Sequence, residues 1–211
     1  MTAKSGPNTQ GLGHRGVPSF GDRSKRRIGL LGGSFNPAHA GHLHISLTAL
    51  KSLVLDQVWW LVSPQNPLKP VRGMAPLAER LAAARKLARH PQIVVTDIEG
   101  RLGDARTAVT LPQLVRRYPG TRFVWLMGAD NLVQLPRWWR WTKVLHTARV
   151  AVLDRSPYSY GALAGAAAQR FAQARVRRPS TIWHRLPPAW TYLAIRRHPA
   201  SATALRNQAT K

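Results

Sequence analysis

An α/β fold, with a doubly wound parallel sheet and helices on both of its faces, is predicted for this chain of 211 residues. Three observations predict it. Apolar runs of strand length alternate with longer stretches whose apolar residues recur at helical spacing, the pattern of successive strand–helix units joined by right-handed crossovers. The first run ends in Gly32-Gly33 and passes through a proline-containing turn into a helical stretch. Hydrophobic residues make up 44% of the chain, enough for a sizeable core and too many for a wholly disordered polypeptide.

Residues 1–25 hold Gly, Pro, Ser, Asn and basic residues with almost no aliphatics, and read as a disordered basic tail. Residues 26–211 read as a single domain. Ile28–Leu31 is its first, short buried strand. A helix over Gly41–Leu55 follows, with Leu43, Leu47, Leu50 and Val54 at helical spacing. Gln57–Val62 is a second strand. Pro76 opens a helix that runs to about Arg89, since a first turn tolerates proline. Ile93–Val95 is a third strand, Ala108–Arg117 a helix, Arg122–Met127 a fourth strand, and Arg149–Leu153 a fifth. Asn131–Val144 is mostly helical, and the Ala-rich stretch Tyr158–Arg175 is helical. Residues 176–198, with Thr181–Trp183 and Thr191–Ile195, supply one or two more strands and a loop. No internal repeat is visible.

Thirty-two Lys and Arg against eight Asp and Glu give a net charge of +24. Such a field attracts polyanions: nucleotides, nucleic acid or anionic lipid. So few carboxylates argue against a calcium cage or a carboxylate-rich metal site. The lack of cysteine removes disulfides, thiolate zinc sites and a cysteine nucleophile together. No apolar run reaches the roughly 18 residues of a membrane helix. The longest candidate, Val144–Leu153, contains His146 and Arg149. No apolar stretch follows the basic N-terminal residues, so no secretory signal is read, and a cytoplasmic protein without a membrane partner is expected. Residues 155–211 hold ten Lys and Arg and no acid, which suits a solvated basic face or a phosphate-binding end of the sheet.

Ligands of a parallel sheet bind outside the carboxyl ends of its strands. At the end of the first strand stands Gly32-Gly-Ser-Phe-Asn-Pro-Ala-His39-Ala-Gly-His42. The two glycines let backbone approach a ligand, and Pro37 stiffens the turn. With a helix starting near Ala40, His42 lies in its first turn and His39 just before it, both facing the space of the open N–H groups. Dipole, amides and imidazoles together make an anion site. A surface or capping role is the plain alternative for two such histidines. A zinc pair lacks a good third ligand nearby. The string is neither a G-x-G-x-x-G fingerprint nor a Walker loop.

The eleven-residue string resembles the signature of the nucleotidyltransferases, whose H-x-G-H element is related to the HIGH motif of class I aminoacyl-tRNA synthetases. It is similar in particular to bacterial nicotinate-nucleotide adenylyltransferase. Leu126-Met-Gly-Ala-Asp-Asn131 resembles that family's G-x-D segment, Leu135-Pro-Arg-Trp-Trp139 its tryptophan block, and Ser201-Ala-Thr-Ala-Leu-Arg206 its S-x-T-x-I-R motif. The resemblance covers about residues 27–206.

It implies a Rossmann-like fold and transfer of AMP from ATP to nicotinate mononucleotide, giving nicotinate adenine dinucleotide and pyrophosphate. Mg²⁺ would bind through the substrate phosphates, with no metal site on the protein. His39, His42 and Arg206 would be catalytic. Gly32, Gly33, Ser34, Phe35, Gly128, Asp130, Ser201 and Thr203 would complete the ATP site. Lys69, Thr107, Ala108, Trp138 and Trp139 would serve the acceptor, with Trp138 stacked on the pyridine ring. Arg106 stands where the family has tyrosine, and the chain stops five residues after Arg206. The rivals are an adenylyltransferase for nicotinamide mononucleotide or another phosphate acceptor, such as pantetheine phosphate, and a basic nucleic-acid-binding module, although no RNA-binding motif is present. No specific nucleic-acid partner is expected, and the oligomeric state is left open.

Overall fold

The computed structural model describes residues 17–64, 73–154 and 159–195. Within them, seven strands form one sheet in the order β3-β2-β1-β4-β5-β7-β6, every neighbouring pair parallel. The strands are β1 (Arg27–Gly33), β2 (Gln57–Val62), β3 (Ile93–Thr96), β4 (Arg122–Gly128), β5 (Arg149–Leu153), β6 (Arg175–Val176) and β7 (Trp190–Leu193). The helices are α1 (Ala40–Ser52), α2 (Leu77–Leu87), α3 (Ile98–Arg101), α4 (Thr107–Arg117), α5 (Ala129–Gln134), α6 (Trp141–Thr147), α7 (Ser159–Ala164) and α8 (Ala166–Arg170). This is the expected Rossmann-like, doubly wound α/β sheet.

Successive residues of a strand point to opposite faces, so a strand buried on both faces feeds two cores. Trp59 joins the core under α4 to α8, whereas Trp60 joins the core under α1 and α2. Both indoles are fully buried.

Several expectations need correction. The face of α1 that packs inward runs through Ser46, Ala49, Leu50 and on to Leu53, while Leu47 and Val54 are exposed. Ser46 can be buried because its hydroxyl accepts from Trp60 Nε1 at 2.7 Å and donates to the His42 carbonyl at 2.8 Å. The helix expected over 131–144 is broken: a 3₁₀ turn holds Leu135–Arg137, Pro136 removes a donor, and Arg140 is left-handed at φ 48 before α6. Gly165 divides the helix expected over 158–175 into α7 and α8. Thr181–Trp183 lies in the 3₁₀ helix Pro179–His184, not in a strand. Its Trp183 Nε1 donates to the Leu53 carbonyl at 2.6 Å, which fastens that turn to the end of α1.

The disordered tail read over 1–25 does not hold for residues 17–25. Residues 1–16 lie outside the described residues, but Val17 packs on the core. Tyr118 Oη donates to the Pro18 carbonyl at 3.1 Å, and the Gly21 N–H donates to the Arg117 carbonyl at 2.7 Å. The Phe20 ring meets the edge of Tyr118 and carries the guanidinium of Arg101 at 4.8 Å. Gly120 admits this segment, since a Cβ there would sit 2.0 Å from the Arg23 carbonyl oxygen. Two hydrophobic side chains in a basic segment sufficed, because they land on an aromatic cluster assembled from distant parts of the chain. A chain beginning at Arg26 should therefore be less stable than one beginning at Val17, by about 2 kcal/mol. Thermal unfolding should show this as a melting point about 4–8 °C lower.

Candidate active site

The sheet winds from β1 through β2 to β3 on one side and continues from β4 on the other. The crevice of such a sheet opens where the winding reverses, between the carboxyl ends of β1 and β4. Gly33 and Gly128 end those strands.

The helix after Gly33 is capped by histidines. His39, extended at φ −146 and ψ 165, is the N-cap of α1. Its Nδ1 accepts from the Gly41 N–H at 3.1 Å, and His42 Nδ1 accepts from the His39 N–H at 3.1 Å. This is a reciprocal capping box with imidazoles in the places of hydroxyl and carboxylate. The rings lie 3.9 Å apart, centroid to centroid. An accepting Nδ1 carries no proton, so the proton of each neutral ring is on Nε2. Capping and anion binding are thus compatible: one nitrogen of each ring shapes the helix start, and the other is a donor edge.

His42 is held from below. The Phe35 ring lies 4.6 Å from it and stacks on Trp60 at 5.2 Å. Phe35 is 1% exposed, so its expected part in ATP binding can come only through its backbone. That backbone is left-handed at φ 48, an uncommon conformation for a bulky residue. Gly32 likewise has a reason besides ligand approach. A Cβ there would meet the Trp125 ring at 2.4 Å, so the glycine makes room for an indole of the core.

Arg80 was not singled out from the sequence. It is 3% exposed and has no carboxylate on it among the described residues. Its Nη1 donates to the carbonyls of Ser34 at 2.7 Å and Ser63 at 2.8 Å, Nη2 to Pro64 at 2.9 Å, and Nε to Ala75 at 2.8 Å. Burial pulls this guanidinium below its usual pKa. The ends of β1 and β2 and the approach to α2 are thereby clamped together. Asn36 adds to the clamp, donating to the Gly73 carbonyl at 3.0 Å. A sequence signal existed: Arg80 falls on the inward stripe Leu77–Leu81–Ala84 of α2.

On the β4 side, Gly128 is the N-cap of α5 and Asp130 lies in its first turn, where a negative charge suits the helix dipole.

Of the acceptor residues expected from the sequence, Thr107 and Ala108 open α4, and Trp139 reaches that end through Arg106. The Arg106 carbonyl takes the N–H groups of Val109 and Thr110. Thr107 and Ala108 keep their N–H groups at the open helix start, as at any helix N-terminus. Arg106 joins this end to the tryptophan block, its guanidinium lying 4.5 Å from the Trp139 ring centroid. Arg140 stacks on the same ring at 4.7 Å. Trp138 is half-buried against the core, and its N–H donates to the Leu135 carbonyl at 2.9 Å. Its main-chain donor is thus spent within the 3₁₀ turn. Arg106 is also committed: Nε donates to both Asp104 oxygens, at 2.9 and 3.0 Å. That carboxylate raises the pKa of Arg106, while Arg106 lowers that of Asp104.

Glu99 was also missed. It lies in the turn of helix that follows β3 and is 3% exposed; burial pushes its carboxyl up to about 8, while the hydroxyls of Ser63 and Thr110 pull it the other way. A four-residue helix after a short strand leaves no periodicity to read. Lys69, Ser201, Thr203 and Arg206 lie outside the described residues. Among the described residues, no group of three or more His, Asp and Glu is arranged to hold a metal, and no helix is long and apolar enough to cross a membrane.

Comparison with known proteins agrees with this geometry. The cytidylyltransferase-like family model matches residues 30–208. A Cereibacter sphaeroides protein named as a probable nicotinate-nucleotide adenylyltransferase is 56% identical over 179 residues, covering 85% of this chain and 96% of its own. A Methylorubrum extorquens protein of the same name is 54% identical over 184 residues, covering 86% of this chain and 100% of its own. Among solved structures, Plasmodium falciparum nicotinic acid mononucleotide adenylyltransferase complexed with NaAD superimposes with a TM-score of 0.62 at 14% identity, over 86% of this chain and 83% of that one. At that identity the likeness speaks for the fold alone. The length and level of the sequence matches, together with the paired imidazoles at the crevice, place the chain in the cytidylyltransferase-like family, among the nicotinate-nucleotide adenylyltransferases.

Proposed function

We propose that the crevice transfers AMP from ATP to nicotinate mononucleotide, with the residue roles that follow. The paired imidazoles capping α1 at the point where the sheet reverses its winding carry the reading. The nucleophile is a phosphate oxygen of the mononucleotide, already ionised at neutral pH, so no side-chain base is required. It attacks the α-phosphorus of ATP, forming the new P–O bond as the bond to pyrophosphate breaks. The protein's task is to bring two polyanions together in line and to meet the charge that builds on the α-phosphate.

His42 Nε2–H is the donor for that charge, and His39 Nε2–H serves the polyphosphate beside it. Amides at the end of β1 and the start of α1 add to the same field. Gly128 and Asp130 serve the adenosine side. Ser201, Thr203 and Arg206 are proposed for the polyphosphate, and Lys69 for phosphate on the acceptor side, from their motif and loop positions. The donors gathered at the crevice are imidazoles with Nδ1 already bonded, and main-chain amides. Such a set fits phosphate oxygens, with Mg²⁺ carried on the phosphates, where it supplies neutralisation of the departing pyrophosphate.

The acceptor side is the start of α4 with Trp138. The pyridinium ring lies on the Trp138 face, and the Thr107 and Ala108 amides, with the Trp139 segment, receive the ring's carboxylate. The test is pyrophosphate release from ATP with nicotinate mononucleotide, nicotinamide mononucleotide and pantetheine phosphate as separate acceptors, with product identified by mass. Nicotinate adenine dinucleotide should form. Release with pantetheine phosphate alone would overturn the reading.

A further inference from the structure

Three neighbouring strands begin with the same residue type. β1, β4 and β5 lie side by side and start at Arg27, Arg122 and Arg149. Arg27 and Arg122 are partners across the sheet. The starts of β4 and β5, with the end of the 3₁₀ helix Pro179–His184, form a pocket of about 280 Å³. Arg122, Arg149, His184 and Arg185 line it, and no Asp or Glu does. β4 runs seven residues from Arg122 to Gly128, so this pocket lies about 20 Å from the crevice at the carboxyl ends.

Arg149 is 6% exposed. A buried guanidinium is costly unless its donors are met. Arg80 meets that requirement with bonds to four carbonyls. Arg149 does not. Its Nε donates to the Ile182 carbonyl at 3.1 Å, and neither terminal nitrogen has an acceptor among the described residues. The guanidinium lies 5.3 Å from the Trp183 ring centroid, with that of Arg27 at 5.6 Å. An indole face attracts a cation but cannot accept a fork of hydrogen bonds.

The charges here are of one sign. Burial, and then the charge of Arg122, pull Arg149 below its usual pKa. Asp56, just before β2, takes the Arg27 N–H at 2.6 Å, and Asp22 takes the Ser24 N–H at 2.8 Å. Arg185 reaches only the Gln173 carbonyl, at 3.5 Å. Stacking on Trp183 would account for Arg149 alone and would need neither Arg122 nor Arg185.

The terminal N–H groups of a guanidinium match the oxygens of phosphate. A phosphate monoester carries about −1.5 to −2 charges at pH 7, less than three guanidiniums offer, so a diphosphate is the better match. Clefts that enclose a whole drug-sized ligand start at about 300 Å³, so the base and ribose of a nucleotide would stay outside. We infer that the pocket at the amino ends of β4 and β5 is a second anion site, which takes a diphosphate group between Arg122, Arg149 and Arg185, apart from the crevice where adenylyl transfer is proposed.

Trp183 reports on this site and not on the crevice. The full chain is labelled with ¹⁵N, and the Trp183 indole N–H signal is assigned with Trp183→Phe. Titration with pyrophosphate in the absence of Mg²⁺ should move that signal along a saturable curve, with a midpoint below about 1 mM. Arg149→Met keeps an apolar stem in place and removes the charge. Arg185→Ala alters an exposed side chain and spares the core. Each should raise the midpoint about tenfold or more. Arg85→Ala removes an equal charge from the exposed side of α2 and should change it by no more than about twofold. Orthophosphate should bind more weakly than pyrophosphate. ADP separates the two sources of a diphosphate: a midpoint at or below that of pyrophosphate marks a nucleotide's diphosphate, and a much higher one marks free pyrophosphate. A Trp183 signal unmoved at about 10 mM pyrophosphate would overturn the inference. So would equal weakening in Arg85→Ala, orthophosphate binding as tightly as pyrophosphate, or a shift produced by a short single-stranded oligonucleotide and not by pyrophosphate.

Discussion

Replacing His42 by alanine should lower kcat by about 10²–10³-fold while changing the KM for ATP by no more than a few-fold. The expectation comes from where its donor is aimed. His42 Nδ1 is committed to the His39 N–H, and the Phe35 ring lies against the imidazole, so Nε2 is held in one orientation at no cost in the reacting complex. Charge on the α-phosphate grows only as the new bond forms. An interaction that strengthens at that moment appears in kcat and not in ground-state binding. The variant also loses half of the capping box, about 1 kcal/mol of stability. The comparison is therefore made at a temperature where both proteins are folded. Near-normal turnover with weakened ATP binding would move His42 from the reacting centre to the binding of ATP.

The other large effect concerns the acceptor. Nicotinate mononucleotide should exceed its amide in kcat/KM by about 10²-fold, close to 3 kcal/mol. The start of α4 offers N–H donors at Thr107 and Ala108, and donors suit a carboxylate. An amide that turns its NH₂ toward them leaves donors facing donors. Arg106 adds nothing short-ranged to this preference, because its guanidinium lies on Asp104 and Trp139. Trp138→Ala should raise the KM for either mononucleotide about tenfold or more and leave the KM for ATP unchanged. Equal use of the two acceptors would refute the selectivity and leave adenylyl transfer standing. A loss confined to ATP would show that the pocket is assigned backwards.

Much of this arrangement was legible in the sequence, for physical reasons. Strands buried on both faces must be apolar throughout, so Gln57–Val62 and Arg149–Leu153 stand out with their observed bounds. A histidine before a helix and another in its first turn must share a face, and they do. What was missed has a common cause. Arg80, Ser63 and Glu99 are polar groups made tolerable inside by carbonyls and hydroxyls that come from other segments. Nothing local in the sequence signals that those partners will be there. The segment from Val17 was misread because its docking surface, around Tyr118, exists only after folding. The face of α1 was misjudged because hydropathy places a leucine above a serine, whereas Ser46 is bonded on both sides.

The clamp at Arg80 has an electrostatic consequence. Its four partners are carbonyl dipoles, whose fields fade quickly with distance, while the guanidinium remains a whole positive charge. A charge stored under the loop from β1 to α1, shielded from bulk water, reaches further than one on the surface. In a trans peptide the N–H points opposite to the carbonyl, so drawing the Ser34 oxygen toward Arg80 turns the Phe35 N–H away from it. The loop thus carries a hidden cation behind it and is polarised outward, so a polyphosphate approaching it should be drawn in before any contact is made.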